Sequence, residues 1–164
     1  MILVGGVAEL FQGDLDLGRR AVVELSGEDL GPGVMVEELS YGGVAVAQRL
    51  EDLRPDVLVL VGAHPRGRTP GSVERRDVPR PELSDRELQI AVGDAVTGYV
   101  TIDLVVEVAA ALGALPPRVV AVEVEPGHVG PVDGLSPEGR AGLQEALALV
   151  RAEVAALRRT PAGG

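Results

Sequence analysis

Ile2-Leu3-Val4-Gly5-Gly6-Val7, followed after a short loop by Gly13-Asp14-Leu15-Asp16-Leu17-Gly18, is the stretch that decides the fold. The first six residues are almost continuously apolar, as a strand covered on both faces must be. The second group ends a loop and starts a helix. Leu17, Ala21, Val22 and Leu25 mark one face of that helix, and Ser26-Gly27 stops it. A buried strand leading directly into an amphipathic helix opens an α/β domain.

The same alternation continues outward. Val34-Met35-Val36 reads as a second strand, and Gly42-Gly43 opens a helix whose buried stripe is Val46, Leu50 and Leu53. Residues 56–61 (Asp-Val-Leu-Val-Leu-Val) form the clearest central strand. His64 to Arg80 is rich in Pro, Gly and Arg, which predicts a surface excursion, with residues 72–78 alternating weakly as an edge strand. Ser84-Asp85-Arg86-Glu87 has the form of a capping box and predicts a helix start. Gly93 and Gly98 separate that helix from another over about 101–112, and Val119 to Val124 is the last strand. Ser136-Pro137 places an N-cap before a proline at the first helical position, and Leu143, Leu147, Val150, Val154 and Leu157 follow on one face. The expected fold is α/β: three αβα layers around a mostly parallel sheet of about five strands, with an antiparallel edge strand. One domain is expected over 1–158, with a flexible tail over 159–164.

Composition narrows the function classes. The chain has 164 residues, enough for one domain, and is 46% hydrophobic but only 2% aromatic, so Val, Leu and Ala must build the core. A formal net charge of −10 is repelled by phosphate backbones, so nucleic acid is not an expected partner. No cysteine is present, which excludes disulfides, thiolate metal sites and a cysteine nucleophile. No apolar run reaches the roughly 20 residues that cross a bilayer, and Met1 leads straight into the first strand. A cytoplasmic protein without a membrane partner is therefore expected. Neither a dinucleotide nor a P-loop glycine pattern occurs, and neither histidine stands in a nucleophile-elbow context.

Four segments carry a resemblance. They are the opening strand with Gly13-Asp14; Tyr41-Gly42-Gly43-Val44-Ala45; Pro70-Gly71-Ser72-Val73 after the central strand; and Val122 through Glu125-Pro126 to Gly134-Leu135-Ser136-Pro137. In that order and spacing the chain resembles the hydrogenase maturation proteases, apart from an inserted helix around 84–95. These are nickel-dependent endopeptidases that trim the C-terminal tail of the NiFe-hydrogenase large subunit. The resemblance implies a phosphorylase/hydrolase-like α/β fold and a hydrogenase large subunit or related protein as partner. In the family an acid on the first loop, an Asp ending the central strand and a His before the next-to-last helix hold nickel that the large subunit carries. Carboxylate and imidazole suit such a metal, which can polarise a peptide carbonyl or activate water.

The three corresponding positions here are Leu15, Gly62 and Thr97. Leu and Gly side chains cannot ligate a metal, and Thr is a poor ligand. The first expectation is therefore a degenerate, pseudoenzyme-like member with no cofactor of its own, which recognises a partner without cleaving it. The alternative is an active endopeptidase with a relocated site for substrate-borne nickel, using Asp14 or Asp16 with His64. A third reading is an unrelated small-ligand or oligomeric α/β module. Asp14 and Asp16 also fit acids at a helix start, stabilised by the helix dipole, and His64 also fits a surface-loop histidine. Glu9, which stands where the family usually has Asn, is a cleft-lining candidate together with Leu15, Gly62 and Thr97. Tyr41 and Tyr99 fall beside emptied positions and are candidates to fill the space. Asp103 reads as a packing or capping acid, and His128 as structural or exposed. Arg66, Arg68, Arg75, Arg76 and Arg80 read as a solvated loop, or else as a face for an acidic partner. Oligomeric state leaves no signature in the residues.

Overall fold

Residues 1–96 and 100–160 are described by a computed structural model of the chain. Five strands form one sheet: β1 (Ile2–Gly6), β2 (Val34–Glu38), β3 (Val57–Ala63), β4 (Val73–Asp77) and β5 (Arg118–Val124). Their order is β2-β1-β3-β5-β4, parallel throughout except where β4 runs antiparallel to β5 at the edge. The expected α/β fold with its antiparallel edge strand is the one observed. No helix among the described residues is long and apolar enough to cross a membrane.

Period-two alternation divides the core between the two faces of the sheet. Ile2, Val4, Val59, Val61, Val120 and Val122 face α1 (Leu17–Ser26) and α5 (Pro137–Arg159). Leu3, Leu58, Leu60, Val119 and Ala121 face α2 (Gly43–Leu53), α3 (Asp85–Val96) and α4 (Ile102–Ala111). A single 3-10 turn, Gly13–Asp16, joins β1 to α1.

The helix signals were legible. Ser84 and Glu87 form a reciprocal capping box, with Ser84 N donating to Glu87 Oε2 at 2.8 Å and Glu87 N to Ser84 Oγ at 3.2 Å. Thr101 caps α4 through Leu104 N at 3.1 Å, and Ser136 caps α5 through Gly139 N at 3.0 Å. α5 continues through Arg159, one residue past the expected domain end. Thr97 and Tyr99, two of the cleft candidates, lie outside the described residues, as do residues 161–164 of the expected tail.

Candidate functional site at the carboxyl ends of the strands

In open parallel sheets, ligands bind outside the carboxyl ends of the strands. Here that edge holds a narrow cleft of ≈ 40 Å³ lined by Val7, Ala8, Glu9, Leu15, Ala63, His64 and Pro65 on one side and Val100, Thr101 and Ile102 on the other. Glu9, Leu15 and His64 thus line one cleft. Leu15 presents an aliphatic side chain, and its carbonyl accepts from Glu9 N at 2.9 Å.

Gly62 precedes Ala63 of the cleft lining near the end of β3. A Cβ built there would come 2.5 Å from the Val7 carbonyl oxygen and 3.5 Å from Ile102 Cδ1. The same carbonyl fills the side-chain position of Gly18 on α1. Two glycines therefore let the end of β1 pack backbone-to-backbone against β3 and α1, and that packing takes the volume an acid at position 62 would need.

The acid that the sequence reading missed is one strand over. Gly62 pairs in register with Glu123 of β5, and Glu123 pairs with Glu74 of β4. Glu123 is 1% exposed on the α4 side of the sheet. Its carboxylate takes two bonds from Arg66 (Nε 3.0 Å, Nη2 2.9 Å), two from Arg76 (3.2 and 2.8 Å) and one from Arg68 (3.2 Å). Burial alone would raise its pKa, but the Arg66 and Arg76 hydrogen bonds and charges outweigh that and bring it down to about 2. Arg66 also grips Asp103 with two 2.9 Å bonds, Arg76 reaches Asp103 at 3.4 Å, and Arg68 pairs with Glu74. Glu125, 4% exposed, accepts from the backbone amides of Arg66 and Arg68 and so fixes the turn that carries them.

The arginine-rich excursion is exposed at many positions but is more than a solvated loop. Its cations turn inward, and Asp103 is an ion-pair partner rather than only a capping acid. Arg75 continues the pattern with Asp77 and Glu153, while Arg80 donates to the Leu115 carbonyl. A charged residue within Val122-Glu123-Val124 was the available signal, because a buried carboxylate requires partners and β4 supplies Arg at the neighbouring positions.

The remaining candidates are held apart. Asp14 is fully buried and accepts from Gly127 N (2.7 Å), His128 N (3.1 Å), Ser136 N (2.7 Å) and Ser136 Oγ (2.6 Å). Burial raises its pKa, yet the Ser136 hydroxyl and the three amides more than compensate, and the net shift is downward. It is an acid at a helix start, but the helix is α5 rather than its own. Asp16, 1% exposed, is held by Arg19 through Nε at 2.8 Å and Nη2 at 2.5 Å. His64 instead stands with Asp103, Nε2 to Oδ2 at 3.9 Å. Among the described residues no three His, Asp or Glu side chains come together as a metal-holding group, so Asp14, Asp16 and His64 do not assemble as one. Tyr41 does not line the cleft: it is 51% exposed at the end of β2, with Glu37 and Arg49 as charged neighbours. His128 is structural through its backbone, whose carbonyl accepts from Asp14 N at 2.9 Å.

Among the described residues that line this cleft, Glu9 and His64 carry the ionisable side chains, and the Leu15 side chain has no donor atom.

No protein-family model matches the chain, and no curated protein matches it in sequence. Solved structures do match in fold. The hydrogenase maturating endopeptidase HybD from E. coli superposes with a TM-score of 0.69 at 22% identity, covering 96% of this chain and 91% of that one. A hydrogenase 2 maturation peptidase from a Thaumarchaeota archaeon gives 0.66 at 23% identity over 93% and 97%. The [NiFe] hydrogenase maturation protease HybD from Thermococcus kodakarensis gives 0.62 at 17% identity over 93% and 98%. The fold is that of these proteases along nearly the whole chain.

Proposed function

We propose that this chain is a hydrogenase maturation protease-like protein that recognises a hydrogenase large subunit, or a related partner, without nickel-dependent cleavage. The observation that carries the reading is the strand-end cleft, where Leu15 stands at one metal position and the Val7 carbonyl occupies the side-chain space of another, Gly62. Acids that could have replaced the lost ligands are committed elsewhere: Asp14 to the α5 start, Asp16 to Arg19, and Glu123 to three arginines. The fold shared with maturation proteases supports the choice of partner, and the cleft supports the absence of cutting.

The test is to mix the purified chain with a nickel-loaded large-subunit precursor and follow both association and the length of the precursor. A complex containing the uncut precursor is expected, with no heat on titration with nickel alone. Loss of the C-terminal tail would overturn the proposal in favour of a working peptidase. Absence of both binding and cutting would remove the hydrogenase partner altogether.

A further inference from the structure

We propose that the groove between α1 and α5 is a docking site for an acidic peptide segment of a protein partner, one carrying an aliphatic or aromatic side chain beside Asp or Glu. This groove lies on the face of the sheet away from α4, and the inference does not rest on the reading of the strand-end cleft. Its volume is ≈ 600 Å³, against ≈ 40 Å³ for the cleft. Leu135 and Leu143, 9% and 7% exposed, form its floor, and Val23, 65% exposed, is its open apolar wall. An open groove of this kind suits an extended segment better than an enclosed small molecule.

Its charge selects the partner. Arg19, Arg20 and Arg140 line it against a single acid, Glu24, in a chain whose net charge is −10. Asp16 and Asp133 offset Arg19 and Arg20 in part, and Arg140 is the cation that favours an acidic partner by complementarity. The three guanidinium groups differ in availability. Arg19 is fixed by Asp16 and lies 5.0 Å over the Phe11 ring. Arg20 donates to Asp133 at 3.1 Å, but Asp133 is 75% exposed, so that tie is weak and replaceable. The Arg20 Nε is shut from solvent without a hydrogen bond and stands 3.9 Å from the buried Asp16 carboxylate, so the Nη2 held by Asp133 is the part open to exchange. Arg140 donates to the Leu135 carbonyl at 2.9 Å and has no carboxylate within 4.0 Å among the described residues. An incoming carboxylate would bridge Arg140 and Arg20, displacing Asp133, while its apolar neighbour covers Leu135, Leu143 and Val23.

The experiment selects binders to the immobilised full chain from a random peptide library and measures the recovered peptides by fluorescence anisotropy. Enrichment of Asp or Glu beside Leu, Ile, Val or Phe is expected. Binding should weaken roughly tenfold or more in Arg140→Gln and in Arg20→Gln. Arg118→Gln, on another surface, should leave it unchanged, and circular dichroism would check that all three variants fold. Recovered peptides without acidic enrichment, or with affinity unaltered by Arg140→Gln and Arg20→Gln, would overturn the proposal. So would displacement of the peptide by sodium octanoate at equal affinity, which would make a small amphipathic anion the occupant.

Discussion

Asp14→Ala should be the most costly polar substitution on the α1/α5 side of the molecule. The carboxylate is fully buried and accepts four hydrogen bonds, three from backbone amides and one from the Ser136 hydroxyl. Hydrogen bonds to charged groups contribute about 1.5–3 kcal/mol each, but water admitted to the cavity would restore part of the loss. Since single-substitution effects above about 4–5 kcal/mol are exceptional, a loss of about 3–5 kcal/mol is expected. For a domain of this size that lowers Tm by roughly 10–15 °C. Gly139 supplies the internal control, because a Cβ there would overlap the Asp14 carboxylate. Gly139→Ala in the natural background should therefore destabilise by about 2–3 kcal/mol despite alanine's better helix propensity. In the Asp14→Ala background the obstruction is gone, and the same change should stabilise by about 0.5–1 kcal/mol. Urea and thermal unfolding of the four proteins measure this coupling. The effect is also pH-dependent. Asp14 has a folded pKa below its ordinary 3.8, so its contribution is full above that value and is lost as pH falls through the lowered one. Asp14→Ala should accordingly show a flatter acid limb. Additive effects of the two substitutions, or a loss under about 1 kcal/mol for Asp14→Ala, would refute the reasoning.

Glu123→Gln should cost about 3–5 kcal/mol at pH 7 by urea unfolding, because three guanidinium groups lose their buried counter-charge. With a folded pKa of about 2 against the ordinary 4.5, the Glu123 contribution is present above pH 4.5 and disappears as pH falls toward 2, so the variant and the natural chain should converge in acid. Gly62→Ala should cost about 1–3 kcal/mol, measured the same way, because its methyl group meets the Val7 backbone rather than a movable side chain. Arg54→Gly should raise stability by about 0.5–1 kcal/mol: Arg54 ends α2 with φ of 47° and ψ of 56°, a left-handed conformation that glycine adopts without strain.

Hydrophobic periodicity and capping chemistry carried most of the fold, because both are local. Ser84-Asp85-Arg86-Glu87 and Ser136-Pro137 announce helix starts through bonds that span three residues, and the apolar run of β3 needs no partner to be read. The site was less legible because its interactions are long-range. Asp14 meets Ser136 across 122 positions of sequence, and Arg66 meets Glu123 across 57. No local rule distinguishes an acid that faces a cleft from one that caps a distant helix. The Arg-rich stretch misled for a related reason. Charge between prolines and glycines ordinarily means solvent, and only the antiparallel register of β4 against β5 reveals that Arg76 stands beside Glu123.

The fate of the carboxylates links the strand-end cleft to the stability of the fold. Glu123, Glu125, Asp14 and Asp16 all belong to the carboxyl edge of the sheet, where such folds usually expose their chemistry. Each is instead buried and saturated by donors of this chain: guanidinium groups for Glu123 and Asp16, loop amides for Glu125 and Asp14. An acid held this way cannot also coordinate a partner's metal without uncovering an arginine or a row of backbone amides, each of which carries its own desolvation cost. The acids of this edge therefore order the loops. Under the proposed reading, Leu15 and Gly62 fit that assignment, because acids committed to structure then compete with no ligand at either position. Restoring acids at 15 and 62 alone should then fail to restore nickel binding, since Val7, Gly18 and Gly62 are packed as one unit and the surrounding charges are already paired. Isothermal titration of a Leu15→Glu/Gly62→Asp variant with nickel checks this. Tight binding in a fully folded variant would show that the edge still adapts to a metal and that its ion pairs yield more readily than their burial implies.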